Sequence, residues 1–284
     1  MATARTTRRL AARKRRSKRR FSLAGFWPGA PLRRRWSRAF RRAPRYAQVL
    51  IALALVFALW VSVNGTYQVI RKPTELFFPV SGTLNKTPAE TWQEYGSIFR
   101  AHATATITPE LLAALAQVEG SGNPIARTYW RWSFTPHPFD VYRPASSAVG
   151  MYQFTDGTFD EARGFCIHDH RVVQDGPWFA WRSCWFNAFY TRVVPTHAVE
   201  MASAYLDVNV ARALARHRVS SATLAQRQNA ATLMHLCGVG AGDDYVKRGF
   251  RLVSGQRCGD HLASGYVARV NAMKALFTRL AAQE

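Results

Sequence analysis

The chain has 284 residues, 48% of them apolar, which is enough for one sizeable folded domain plus an appendage and excludes a chain that is disordered throughout. Its formal charge of +22 would suit a nucleic-acid binder only if the charge were spread over the folded part, and it is not. Residues 1–46 carry 17 Arg and Lys and no Asp or Glu, which leaves 22 basic against 17 acidic residues in the rest of the chain, a net of +5.

The arginine-dense first 20 residues of the arm, residues 1–46, hold none of the aromatic residues that a base-stacking surface needs, so no nucleic-acid partner is expected. The arm runs directly into an apolar stretch, and beside a membrane such an arm favours anionic lipid. From Tyr46 to Ile70 no residue is charged, and Val49 to Val63 is almost wholly Leu, Ile, Val, Ala, Phe and Trp. At a rise of about 1.5 Å per residue this stretch can cross a bilayer. Residues 47–70 are therefore expected to form one transmembrane helix. Arg41, Arg42 and Arg45 crowd its inner end and Trp60 and Tyr67 suit its outer interface, so the arm is expected on the cytoplasmic side and the remainder exported. A cleaved signal peptide is the rival reading, but the basic region is long and no small-x-small site follows the apolar run.

Residues 71–86, with two prolines, a glycine and no helical period, are expected to be an extended stalk. The folded domain, 87–284, begins with Thr87-Pro88-Ala89-Glu90, the pattern of a capping box, followed by Trp92, Tyr95 and Phe99 at helical spacing. A second helix starts at Thr108-Pro109-Glu110, carries Leu111, Leu112, Leu115 and Val118 as its apolar stripe, and stops at Gly120. Residues 128–144 are rich in aromatics and proline and are expected to be an ordered loop. Helical patterns return at 155–166, 195–217, 221–237 and 261–282, and no run alternates long enough to demand a sheet. The fold class is therefore all-α, or nearly so.

All four cysteines, Cys166, Cys184, Cys237 and Cys258, fall on the exported side, where disulfides persist. Three connectivities are open to them, and the sequence-local pairing, Cys166 with Cys184 and Cys237 with Cys258, is preferred because it closes short loops. The alternative is four separately buried thiols. No Cys-x-x-Cys or His-x-x-x-His spacing suggests a metal, and no cofactor is implied.

Glu119 is the most informative residue. It follows Leu115 by four positions, Leu112 by seven and Leu111 by eight, so its carboxyl group lies on the apolar face of its helix, near the end. Desolvation disfavours the charged form of such a group, which suits it to hold a proton and deliver it to a leaving oxygen. The bland alternative is a polar residue that ends a helix and points outward.

The surrounding residues bear on that choice. Glu119-Gly120-Ser121-Gly122-Asn123-Pro124, followed by Ala145 to Phe159 (ASSAVGMYQFTDGTF), resembles the soluble-lytic-transglycosylase domain, whose catalytic Glu ends a helix and whose Gly-Leu-Met-Gln-like segment precedes a Gly-Thr. The resemblance covers roughly residues 105–275. It implies a lysozyme-like α-helical fold behind the membrane helix, with peptidoglycan glycan strands as substrate. It also implies a Glu119 that protonates the bridging oxygen between N-acetylmuramic acid and N-acetylglucosamine and then acts as base on the muramic 6-hydroxyl, closing a 1,6-anhydro ring. One carboxyl group then suffices where ordinary glycosidases need two. Asp140 and Asp156 are the nearest candidates for a second.

By the same resemblance, Gly150 allows close approach of backbone to sugar and Gln153 forms a hydrogen-bonding wall, with Ser121, Asn123 and Tyr152 as further substrate-binding positions. Met151 and Tyr152 stand where the family has Leu-Met, and core packing is the preferred role for Met151. The family's third motif aligns with Met234 to Gly240, where His235 replaces a tyrosine and Leu236 an asparagine, so His235 is a candidate pocket residue. The aromatic segment with Tyr129, Trp130, Trp132, Phe134, Phe139 and Tyr142 is longer than the family's spacing and offers either sugar-stacking subsites or a small core, and Trp178, Trp181 and Trp185 pose the same choice. The expectation is thus a wall-cleaving enzyme of a bacterial inner membrane with a periplasmic domain. A lysozyme-type hydrolase, or a peptidoglycan-binding component of an envelope or secretion machine, are the alternatives.

Overall fold

The computed structural model describes residues 30–284 except positions 78, 175, 178, 181 and 182; most of the basic arm, Trp178 and Trp181 lie outside the described residues. The described chain is mostly helical and falls into two compact units, divided between Val61 and Ser62.

The first unit holds α1 (Ala30–Arg42) and the greater part of α2 (Arg45–Arg71). Among the described residues α2 is the one helix long and apolar enough to cross a membrane. Its large side chains, Leu50, Ile51, Leu53, Leu55, Val56, Phe57 and Leu59, are exposed, unlike those of a helix built to sit in a protein core.

In the second unit α3 (Pro88–Ala101) and α4 (Pro109–Gly120) begin where the sequence places them. Thr87 and Glu90 form the full capping box and Thr108 caps α4 through the Leu111 amide. Helix α4 is central. Leu111 to Ala116 are all buried, alanines included, because α3, α6 (Pro195–Arg216) and α9 (Ala263–Ala281) surround it. The apolar stripe expected from periodicity is therefore widened, as Ala113, Ala114 and Ala116 are small enough for neighbouring helices to approach closely. Helices α7 (Leu224–Cys237) and α8 (Val239–Lys247) pack on α6.

Among the described residues three antiparallel hairpins interrupt the helical pattern: β1 (Trp130–Trp132) with β2 (Tyr142–Pro144), β3 (Phe165–His168) with β4 (Arg171–Gln174), and β5 (Arg257–Cys258) with β6 (His261–Leu262). Strands of two to four residues are too short to announce themselves by alternation. The expected helix at 155–166 is correspondingly cut to α5 (Asp156–Ala162), since the chain leaves it through Gly164 for β3. Disulfides join Cys166 to Cys184 and Cys237 to Cys258, the sequence-local pairing, and each ties one hairpin to the body of the domain.

The segment 71–86 is not an extended stalk. It folds into two 3-10 turns, Pro73–Phe77 and Ser81–Leu84. Glu75 is buried there, 3.2 Å from both Lys72 and Arg127, and accepts a hydrogen bond from Trp130 Nε1 at 2.8 Å. Lys86 closes the segment against the end of α4: its amide donates to the Ser121 carbonyl at 2.8 Å, and its own carbonyl accepts from Gln117 Nε2 at 2.9 Å. The prolines and glycine break regular helix, as the composition requires, but long-range polar partners hold what remains.

Candidate active site

Glu119 lies in the last turn of α4, and the next residue, Gly120, has no room for a side chain: a Cβ there would meet the Met151 backbone at 2.8 Å. Ser121 follows in the left-handed region (φ 51°), and Gly122 (φ 63°) leaves no room for a side chain beside Thr91. This tight stop turns the chain so that Glu119 opens onto a cleft of ≈ 360 Å³, bounded by Ser81, Gly82, Asn85, Asn123 and the run Ala126 to Tyr129. Larger hollows exist, among them one of ≈ 620 Å³ along residues 214–227, but no carboxyl group lines that one. The Glu119 side chain is 19% exposed, so it is largely withdrawn from water yet reachable.

Two groups reach the carboxyl from other helices. The hydroxyl of Tyr266, on α9, donates a hydrogen bond to Glu119 Oε1. Burial, and then the negative charge of Glu119, push the Tyr266 phenol far up, so it remains a donor at any physiological pH. His235, on α7, brings Nε2 to 4.0 Å from the same oxygen, beyond hydrogen-bonding distance. Burial lowers the His235 pKa against the opposing pull of Glu119 and a backbone hydrogen bond with Tyr152. At neutral pH the imidazole is uncharged, and the pair is a polar contact rather than an ion pair.

Of the residues singled out from sequence, Glu119, Ser121 and Asn123 line the cleft and His235 approaches its carboxyl from behind. Asn123, Gly150, Tyr152 and Gln153 are engaged by the protein's own groups. Asn123 is buried and holds the cleft wall together: its Nδ2 donates to the Ser81 carbonyl and, at 2.8 Å, to Asn85 Oδ1, while its Oδ1 accepts from the Ile125 amide at 2.9 Å. Gly150 does need its missing side chain (φ 82°), but the space is taken by the Arg192 carbonyl, not left for a sugar. Tyr152 belongs to the core, donating to the Leu112 carbonyl at 3.1 Å and meeting the edge of His235 with ring centroids 6.3 Å apart. Gln153 (φ 48°) spends its amide nitrogen on the Ala126 and Gly150 carbonyls, at 3.1 and 2.8 Å, and so shapes the loop rather than walling the cleft. Met151 is buried, as preferred from sequence.

Asp140 and Asp156 do not join Glu119. They pair with Arg71 at 3.2 Å and Arg192 at 2.8 Å, outside the cleft. Among the described residues no cluster of three or more His, Cys, Asp or Glu could hold a metal ion.

Two contributions escaped the sequence. Tyr266 lies on an apolar stripe with Val267, Val270 and Phe277, so periodicity alone marks it as core. Ser81, Gly82 and Asn85 come from the segment read as a stalk, and no local signal foretold that it would return to the cleft. Of the aromatic segment, Tyr129 reaches the cleft; Trp130 and Trp132 pack at a tilt against Tyr142, at centroid distances of 5.1 and 4.7 Å. No known family model, curated protein or solved structure matches the chain.

Proposed function

We propose that this chain is a membrane-anchored peptidoglycan lytic transglycosylase with a lysozyme-like domain, held at a bacterial inner membrane by α2 and exposing Glu119 to the periplasm. One observation carries the reading. A single carboxyl group, withdrawn from water and fixed by a tyrosine donor, faces an open cleft whose described lining holds no second acid. That is what an intramolecular nucleophile requires. Glu119 gives its proton to the bridging oxygen as the bond from that oxygen to the muramic C1 breaks. The muramic 6-hydroxyl oxygen then bonds C1, and its proton returns to the carboxylate, so acid and base are the same group and no water is consumed.

The two motif blocks support the reading as well, for the structure brings them together: Gly120 touches the backbone of Met151, and Gln153 braces Ala126. Solubilisation of purified sacculi by the full chain in detergent tests the proposal. Glu119→Gln should abolish solubilisation while sedimentation with sacculi is retained. Equal solubilisation by the variant would refute the role given to Glu119, and sedimentation without solubilisation by the parent would point to a wall-binding component.

A further inference from the structure

A chain of hydrogen bonds fixes the direction of one donor in the Glu119 cleft. The Ile125 amide can only donate, so the Asn123 atom that accepts from it at 2.9 Å is Oδ1, and the other end of that side chain is the NH2 group. Asn123 Nδ2 in turn donates to the Ser81 carbonyl and, at 2.8 Å, to the side chain of Asn85. The accepting atom there is Asn85 Oδ1, which leaves the Asn85 NH2 group turned away from Asn123. Asn85 is exposed, lines the same ≈ 360 Å³ cleft as Glu119, and among the described residues its Nδ2 has no acceptor.

The donor is held as firmly as it is aimed. Asn85 follows the 3-10 turn Ser81–Leu84, and the next residue, Lys86, is fastened to α4 and its end through both its carbonyl and its amide. Other polar groups of the lining are committed to the protein: Thr128 Oγ1 donates to the Ser146 carbonyl at 3.2 Å, and Arg127 pairs with Glu75 at 3.2 Å. A preorganised carboxamide N–H without a protein acceptor suits a carbonyl oxygen of a ligand and loses little freedom when it binds one. In a strand of N-acetylated sugars each ring carries such an oxygen on its acetamido group. A ring that has lost its acetyl group presents an ammonium instead, and two donors then face each other.

We propose that Asn85 Nδ2 hydrogen-bonds the acetamido carbonyl of a sugar seated beside Glu119 and makes the cleft selective for N-acetylated over de-N-acetylated strands. This rests on the proposed glycan-cleaving function, and the test separates the two.

The full chain in detergent is titrated with tetramers of N-acetylglucosamine and of glucosamine, in mildly acidic buffer that keeps the glucosamine amines charged, and the same preparations are given purified sacculi. Asn85→Ala should weaken binding of the acetylated tetramer about 3- to 10-fold without weakening that of the amine tetramer. Asn85→Asp keeps an acceptor for Asn123 but exchanges the donor for an acceptor, so it should reverse the preference. Gly82→Asp adds the same charge to the same lining, at a position where an added Cβ meets nothing, and should not reverse it. Sacculi solubilised by the parent, with the preference absent, unmoved by Asn85→Asp or moved equally by Gly82→Asp, would overturn the role of Asn85 and leave the cleaving function intact. A preference reversed by Asn85→Asp alone, with no solubilisation by the parent, would overturn the cleaving function and leave the acetamido contact. Neither binding nor solubilisation would overturn both.

Discussion

Tyr266 and Glu119, 147 residues apart in sequence, meet through a hydrogen bond from the phenol to the carboxyl Oε1. It is the contact by which α9, packed along α4, holds the carboxyl group proposed as acid and base. Tyr266→Phe removes the donor and keeps the ring. A hydrogen bond to a charged group contributes about 1.5–3 kcal/mol, so the cleavage rate should fall roughly 10- to 100-fold. Far-ultraviolet circular dichroism and thermal melting should stay close to those of the parent; a variant with unchanged rate would show that the donor is dispensable.

The buried histidines set a direction for pH dependence. His235 and His102 both have pKa values lowered from 6.5, first by burial, with Glu119 and Glu200 respectively pulling the other way. A group with a depressed pKa binds its proton more readily in the unfolded chain. Its contribution to stability is therefore present above about pH 6.5 and is lost as pH falls below that value towards the folded pKa. Urea unfolding between pH 7.5 and 5 should show stability decreasing across the lower part of this range, and His235→Asn should flatten the decrease.

Glu75 is a buried carboxylate shared by Lys72 and Arg127, with Trp130 as a third partner. Glu75→Gln leaves two cations without their counter-charge, and breaking a buried pair costs about 3–5 kcal/mol. The loss should be read as lower resistance to urea, with sacculus cleavage reduced as the wall formed by Ser81 to Asn85 loosens. Unchanged stability would mean that Lys72 and Arg127 find other partners.

The fold was legible from sequence where the signal is local. The capping box at Thr87, the Thr108-Pro109 start of α4 and the short-loop cysteine pairs all follow from residues within a few positions or one loop of each other. The hairpins, the return of residues 73–86 to the domain and the reach of Tyr266 depend on contacts between distant parts of the chain, such as Asn123 with Ser81 and Gln68 with Phe139. Gly150 and Gln153 illustrate a subtler limit. A positive φ and an amide donor serve loop closure as well as they would serve a ligand, and the partner is set by the distant Arg192 carbonyl for Gly150 and the Ala126 carbonyl for Gln153.

The disulfide between Cys237 and Cys258 joins the end of α7, two residues after His235, to the hairpin that precedes α9 and Tyr266. It therefore clamps together the two helices that address Glu119. A cross-link closing a loop of this size contributes about 3 kcal/mol in the chain-entropy description. Cys237→Ala with Cys258→Ala should lower both stability, by about that amount, and the cleavage rate. Removal of Cys166 and Cys184, whose hairpin lies away from the cleft lining, should lower stability while the rate measured below the melting transition is retained. Equal effects of the two pairs on rate would contradict this division.

If Glu119 alone serves as acid and base, the substrate's own hydroxyl closes a ring and no water enters. Mass spectrometry of sacculi digested by the full chain in detergent distinguishes the two outcomes. Muropeptides ending in 1,6-anhydro-N-acetylmuramic acid are expected from the parent and none from Glu119→Gln. Products ending in reducing N-acetylmuramic acid, or the same products from parent and variant, would refute ring closure by Glu119.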